Sequence, residues 1–388
     1  MLVFSAYNED IKINCLRRGE AVRFAITIIC LVFGGLLLSP AVEAQTEINV
    51  SAESAVLIDQ TSGRVLYEKN AHNQSLIASI TKIMTAIVAI ESGELDSQVS
   101  ISDNAIGTEG SSIYLRSEDQ FTLEELIYGL MLRSGNDAAV AISEHVGGSL
   151  EGFVHLMNEK AHWIGMTNTH FSNPHGLDSE DHYSTAYDMG LLMKYAMEND
   201  TFQKISGAKS FRANDRDYSW QNKNKLLTRY YEYCTGGKTG FTKAAGRTLV
   251  TTAQKDGQTL IVVTLNAPDD WQDHIRLYEW GFEHYPLEEI QSEGEYSYEN
   301  KKDEGLTNGW ISDDVLYPLT DSEIKNLSSK VFLTTEALAF DQIGKKIFYL
   351  DGEKIAETAI YQEEVNEEKS GFWQATLDTF QTLLGEKQ

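Results

Sequence analysis

The chain has 388 residues, enough for two domains with cores of their own. Its 58 acidic side chains against 32 basic ones give a net charge of −26. That disfavours nucleic acid, whose phosphates need a positive surface, and purely electrostatic attachment to anionic lipid.

Arg17, Arg18 and Arg23 precede an apolar run from Phe24 to Leu38, and small residues follow through Ala44. This is a secretory signal layout, so residues 1–44 read as a signal peptide with an upstream extension, cleaved after Ala44. The apolar run is short of the roughly 20 residues that a membrane span needs. Cleaved or kept as an anchor, the leader makes the remainder an exported protein. Cys15 and Cys30 fall within it, so the mature chain would hold one thiol, Cys234, with no intramolecular disulfide and no cysteine metal cluster.

Ala55–Asp59 and Arg64–Glu68 flank a four-residue turn ending in Gly63, a β-hairpin pattern. Residues 76–90 then carry apolar side chains on every side of a helical wheel, which predicts a buried central helix ending at Gly93. It contains one charge, Lys82, with the hydroxyl of Ser79 three residues earlier and so on the same face. A buried ammonium either lowers its pKa or finds a partner. A neutral lysine beside a serine can take its proton and make it a nucleophile. The same pair is also compatible with a structural role in which Lys82 extends its amine to water.

Thr122 and Glu125 form a capping box opening a helix to about Arg133. Ser134-Gly135-Asn136-Asp137 reads as a turn, and a helix from Ala138 to Val146 follows. Ser134 and Asn136 are therefore expected on a loop between two helices. Phe153–Ile164 is helical and closed by Gly165, and Ser184 is expected to cap a helix from Ala186 to Met197. Between them, Asn173-Pro174-His175-Gly176-Leu177 is a loop, with His175 either a site residue or a turn histidine.

Residues 233–240 read as a strand with three glycines, a mark of close approach by another backbone or a ligand, and Lys238 and Thr239 lie in it. Cys234 in that strand reads as a small buried hydrophobe, since no activating constellation surrounds it. Arg247–Ala253 and Gln258–Asn266 form a further hairpin across Lys255-Asp256-Gly257. The expected class is α+β, with an antiparallel sheet formed from both ends of residues 45–287 and the helices inserted between. From Glu288 onward there are 22 acidic and 9 basic residues, half the net charge. Strand-like runs at 330–335, 346–350 and 354–360 give residues 288–365 the character of a small acidic β domain. Phe372, Trp373, Leu377, Phe380, Leu383 and Leu384 recur at helical spacing. Residues 366–388 are thus expected to form an amphipathic helix lying on a membrane surface, although its polar face lacks lysines; the alternative packs it back on the β domain.

Three short patterns occur in order: S-x-x-K at 79–82, S-x-N at 134–136 and K-T-G at 238–240. With their flanks and the Asn173–Leu177 loop, the chain closely resembles the low-molecular-weight penicillin-binding proteins that are serine-type D-alanyl-D-alanine carboxypeptidases. The resemblance is strong from Ile48 to Tyr285 and looser beyond. It implies a penicillin-binding, transpeptidase-like domain whose Ser79 attacks the bond between the two terminal D-alanines of a peptidoglycan stem peptide. By the same resemblance Lys82 takes the hydroxyl proton and Ser134 relays a proton to the leaving D-alanine. Asn136 binds the peptide backbone, and Lys238 and Thr239, with Gly240 beside them, hold the terminal carboxylate. Backbone N–H groups of Ser79 and Phe241 would form an oxyanion hole, typically worth about 3 kcal/mol per donor. β-Lactams would acylate Ser79, and no cofactor or metal is implied. The resemblance also leads one to expect an arginine near the carboxylate, with Arg247 and Arg276 the candidates, and His175 as a candidate for the water-activating group. No E-x-x-L-N stretch of the class A β-lactamase kind is present, so efficient penicillin hydrolysis is not expected. Endopeptidase or β-lactamase action, and a non-catalytic wall-binding or β-lactam-sensing module, are the alternatives.

Overall fold

The computed structural model describes residues 48–362 apart from 215, 301–304 and 335–340. The leader and the expected terminal helix lie outside the described residues. The chain enters the sheet through β1 (Ser54–Asp59) and β2 (Val65–Lys69), an antiparallel hairpin. The Asp59 carboxylate accepts from the backbone N–H and hydroxyl of Ser62, and Gly63 takes φ +72°, which closes the turn. β1 then pairs with a strand from far along the chain.

The expected helix over 76–90 resolves into two pieces, a 3-10 turn (Ala78–Thr81) and α1 (Lys82–Glu91). Every residue of α1 from Lys82 to Ile90 is buried, as the all-round apolar pattern requires. A short ribbon of β3 (Gln98–Val99) and β4 (Phe121–Thr122) brackets α2 (Asp103–Ile106). The Thr122–Glu125 capping box is present and opens α3 (Leu123–Tyr128). The helix then widens into a π turn at Gly129–Arg133 and stops at Ser134, whose φ is +64°. Asn136 is not on a loop: it is the first residue of α4 (Asn136–Gly147). The turn chemistry of Ser-Gly-Asn-Asp is used in its first two residues only, because the Asp137 carboxylate accepts from Ile113 and Leu115 and fixes the helix start.

α5 (Leu150–Ile164) ends at Gly165, φ +90°, and α6 (Ala186–Ala196) follows the Asn173–Leu177 loop. Thr185, not Ser184, caps α6, accepting from the Asp188 N–H; the Ser184 hydroxyl is engaged with Thr169. After α7 (Asp200–Ser206) and a ribbon of β5 (Ser210–Phe211) and β6 (Trp220–Gln221) come β7 (Cys234–Thr242), β8 (Gly246–Lys255) and β9 (Gln258–Leu265). Asp256 and Gly257, both at positive φ, make the β8–β9 turn. The sheet order is β2-β1-β9-β8-β7, antiparallel throughout. α8 (Asp270–His284) follows β9. Leu57 and Ile58 are consecutive in β1 and so face opposite sides. A Cβ on Gly281 of α8 would meet Leu57, and one on Gly190 of α6 would meet Ile58, so the sheet is sandwiched between these two helices.

The acidic region supplies a ribbon of β10 (Leu287–Gln291) and β13 (Val315–Pro318), and a second five-stranded sheet. That sheet comprises β11 (Gly294–Asn300), β12 (Gly305–Ile311), β14 (Leu327–Leu333), β15 (Gln342–Leu350) and β16 (Glu353–Tyr361), in the order β11-β12-β16-β15-β14. Arg64, just after the β1–β2 turn, binds the Pro318 carbonyl and Glu323 and lies against the rings of Tyr285 and Tyr317.

Candidate active site

Folding brings the three motifs onto one open cleft of about 290 Å³ between the 3-10 turn, the end of the π turn and β7. Ser79, Ser134, Thr239, Gly240 and Phe241 line it, while Lys82, Asn136 and Lys238 are buried. A 3-10 turn eclipses residues three apart, which a continuous α-helix would offset. Here it sets Ser79 and Lys82 side by side, with Lys82 Nζ 3.0 Å from Ser79 Oγ.

Two other groups meet the same amine: Asn136 Oδ1 at 2.8 Å and the carbonyl oxygen of His175 at 2.5 Å. The Asn136 amide is oriented by its own N–H donating to the Glu109 carbonyl, so Oδ1 is the atom turned to Lys82. Burial holds the pKa of Lys82 well below the lysine range; the positive Lys238 and Lys223 act in the same direction, and Asp137 opposes them. An uncharged amine has two N–H donors and one lone pair. The amide oxygen and the carbonyl can only accept, so they take both N–H groups. The lone pair is left for the hydroxyl of Ser79.

Lys238 forms the second buried node. Its Nζ donates to Ser134 Oγ at 3.1 Å and to the Thr239 carbonyl at 2.7 Å. Burial, reinforced by the charge on Lys223, brings its pKa down to about 7. The glycines of β7 serve close approach, as the sequence suggested. A Cβ on Gly240 would lie 2.9 Å from the Ser79 nitrogen and 2.4 Å from Thr248 Oγ1. Thr248 in turn donates to the Ile77 carbonyl at 2.9 Å.

The second-tier candidates separate. Arg247 lines the cleft, its guanidinium 2.6 Å from Asp270 and over the Trp271 ring, with its Nε buried and unpartnered. Arg276 is not at the cleft: it pairs with Asp273 at 2.6 Å, and Asp273 fastens the backbone of Ser51 and Ala52. Nothing in the sequence distinguished the two arginines, because the choice depends on where α8 lies. His175 reaches Lys82 through its carbonyl, while its ring accepts from the Leu177 N–H and is held neutral by burial and the nearby Lys82, with a pKa down to about 4. The Cys234 thiol is buried and pushed up to about 12, which suits a packing residue.

Sequence reasoning missed Lys223, Ser111, Asp270 and Trp271, which also line the cleft. Lys223 donates to Ser111 Oγ at 3.2 Å, and burial lowers its pKa. The available signal was the Asn222–Asn224 pair around it, whose side-chain oxygens accept from the backbone N–H groups of Asn224 and Leu226, a turn-forming pattern.

An antiparallel sheet with its helices inserted between the first and last strands, and three such motifs converging on one cleft, is the arrangement of the penicillin-binding proteins. The chain belongs to the D-alanyl-D-alanine carboxypeptidase family, whose model matches residues 41–269. It is 37% identical over 229 residues to the D-alanyl-D-alanine carboxypeptidase DacF of Bacillus subtilis (strain 168), covering 57% of this chain and 59% of that one. With DacC of Escherichia coli (strain K12) it shares 36% identity over 248 residues, 60% of this chain and 62% of the relative. The chain thus spans about 60% of the length of these two relatives. The likeness to DacA of Haemophilus influenzae runs further, at 30% over 363 residues, 88% of this chain and 92% of that one. Among solved structures, penicillin binding protein 5 from Haemophilus influenzae superposes with a TM-score of 0.68 at 28% identity, over 81% of this chain and 97% of that one.

Proposed function

We propose that this protein is a serine-type D-Ala-D-Ala carboxypeptidase that removes the terminal D-alanine from peptidoglycan stem pentapeptides. The observation that carries the reading is the buried Lys82 amine, 3.0 Å from the Ser79 hydroxyl and held there by two oxygens that only accept. The Ser79 oxygen attacks the carbonyl carbon of the penultimate D-alanine as its proton passes to Lys82 Nζ. The N–H groups of Ser79 and Phe241 receive the negative charge that develops on the carbonyl oxygen. Ser134, beside Lys238, delivers a proton to the departing amine, and the acyl-enzyme on Ser79 is then released by water. Lys238 and Thr239 hold the terminal carboxylate by charge-assisted contacts, with Lys223 and Arg247 also lining the cleft. Asn136 orients Lys82 and the peptide together. β-Lactams offer an acyl bond of the same shape and acylate the same oxygen.

The leader pattern supports export, with residues 45–287 acting at the outer face of the cytoplasmic membrane or in the wall. The separate second sheet supports reading 288–365 as a domain of its own, and the apolar spacing of 366–388 supports attachment to the membrane surface. The test is release of D-alanine from diacetyl-Lys-D-Ala-D-Ala by the purified protein, with mass spectrometry of its penicillin adduct. The expected result is turnover, an adduct on Ser79, and loss of both in Ser79→Ala with the fold kept. No D-alanine release, or labelling that survives in Ser79→Ala, overturns the reading.

A further inference from the structure

The turn that carries Ser79 is strained at the residue before it. Ala78 has φ +49°, the left-handed region, in a fully buried setting. A non-glycine residue is strained there and persists only where its surroundings hold it. Two hydroxyls do so. Thr248 donates to the Ile77 carbonyl, and Thr81 Oγ1 donates to the Ala78 carbonyl at 2.8 Å.

Thr81 is itself held by a buried histidine. His182 Nε2 lies 2.8 Å from Thr81 Oγ1, and the Ser172 N–H donates to His182 Nδ1 at 3.1 Å. A nitrogen that accepts from an amide carries no proton, so the imidazole proton sits on Nε2. The direction of the relay is then fixed: Ser172 N–H to Nδ1, Nε2–H to the Thr81 oxygen, Thr81 O–H to the Ala78 carbonyl. His182 and Thr81 are 1% and 0% exposed, so water does not compete.

The Ala78 carbonyl and the Ser79 N–H belong to one planar trans peptide, and they point in opposite directions. Fixing the carbonyl therefore fixes the N–H. We propose that His182 is a positioning residue for acylation: through Thr81 it sets the plane of the Ala78–Ser79 peptide and so aims the Ser79 N–H at the reacting carbonyl oxygen. It touches neither substrate nor the reacting atoms. Gly176 completes the clamp, since a Cβ there would come within 1.9 Å of the Ala78 oxygen. The inference rests on the acyl-enzyme reading above.

The test separates donor from acceptor. A glutamine at 182 can place an amide N–H where Nε2 lies and keep the bond to Thr81. An asparagine reaches only as far as Nδ1 and loses it. The first-order acylation rate and the non-covalent affinity for a fluorescent penicillin are measured for full-length wild type, His182→Gln, His182→Asn, Thr81→Ser, Thr81→Val and the double variant His182→Asn/Thr81→Val. The expected result is about a tenfold slower acylation in His182→Asn and Thr81→Val with affinity unchanged. The double variant is no slower than either single one, and Gln and Ser stay near wild type. Should His182→Asn fail to fold, the near-isosteric Thr81→Val carries the comparison. Wild-type acylation in Thr81→Val, additive losses, or a loss confined to affinity overturns the proposal. Nitrogen NMR of the wild-type imidazole must also show the proton on Nε2; the other tautomer, or a charged ring at neutral pH, overturns it without reference to activity. An adduct found elsewhere than on Ser79 defeats the acyl-enzyme reading instead, and leaves the tautomer measurement standing.

Discussion

Replacing Gly240 by alanine adds one methyl group at the point where β7 meets the nucleophile turn. The new carbon would lie 2.4 Å from Thr248 Oγ1, 2.9 Å from the Ser79 nitrogen and 3.1 Å from the Ile80 nitrogen. Carbon contacts are ordinarily about 3.5–4.0 Å, so the turn or the strand must retreat by roughly 0.6–1 Å. Neither nitrogen can rotate away, since both are backbone, and Thr248 Oγ1 is tied to the Ile77 carbonyl. The turn therefore moves, and the Ser79 N–H moves with it. A displacement near 1 Å at a reacting centre lowers the rate about 10²-fold, or about 2.7 kcal/mol of barrier. Overpacking adds about 1–3 kcal/mol of destabilisation, a fall in Tm of a few degrees for a chain of this size. Gly240→Ala should thus fold, melt slightly earlier and acylate about a hundredfold more slowly, as followed by a time course of fluorescent penicillin labelling at 25 °C. Labelling at the wild-type rate would show that the strand does not press on the turn, and the account of the cleft would fall with it.

Lys238→Met removes a buried amine whose pKa, about 7, lies below that of an unfolded lysine. Between these two values the unfolded chain binds the extra proton, so the wild type gains stability as pH rises through that window, and the penalty is full below pH 7. The variant should therefore lose D-alanine release yet melt higher than wild type, with the gain largest below pH 7 and shrinking toward pH 10; a lower Tm at pH 6 would contradict this. Arg247→Gln should raise KM for the peptide with kcat little changed, whereas Arg276→Gln should leave both untouched and lower the Tm only. Equal effects on KM would refute the assignment of Arg247 to the cleft.

Much of the protein is written locally. The all-round apolar pattern marked α1 as interior, the Thr122–Glu125 box marked a helix start, and Asp256-Gly257 marked a hairpin. Each depends on side chains within a few residues of one another, so a linear reading reaches it. The order S-x-x-K, S-x-N, K-T-G was also enough to expect one cleft.

Other features depended on contacts that sequence does not encode in order. The break of the first helix into a 3-10 turn follows from clamps at Thr248 and His182, which lie 171 and 101 residues from their partners Ile77 and Thr81. Arg247 and Arg276 are equivalent on paper; α8 pairs one with Asp270 at the cleft and the other with Asp273 beneath the N-terminal segment. The lowered pKa of Lys82 likewise comes from burial and from the charges of Lys238 and Lys223, neighbours that only the folded chain supplies. Short-range order fixes which groups exist and which element bears them. Desolvation and the mutual geometry of distant groups, which set their protonation and aim, arise only from packing.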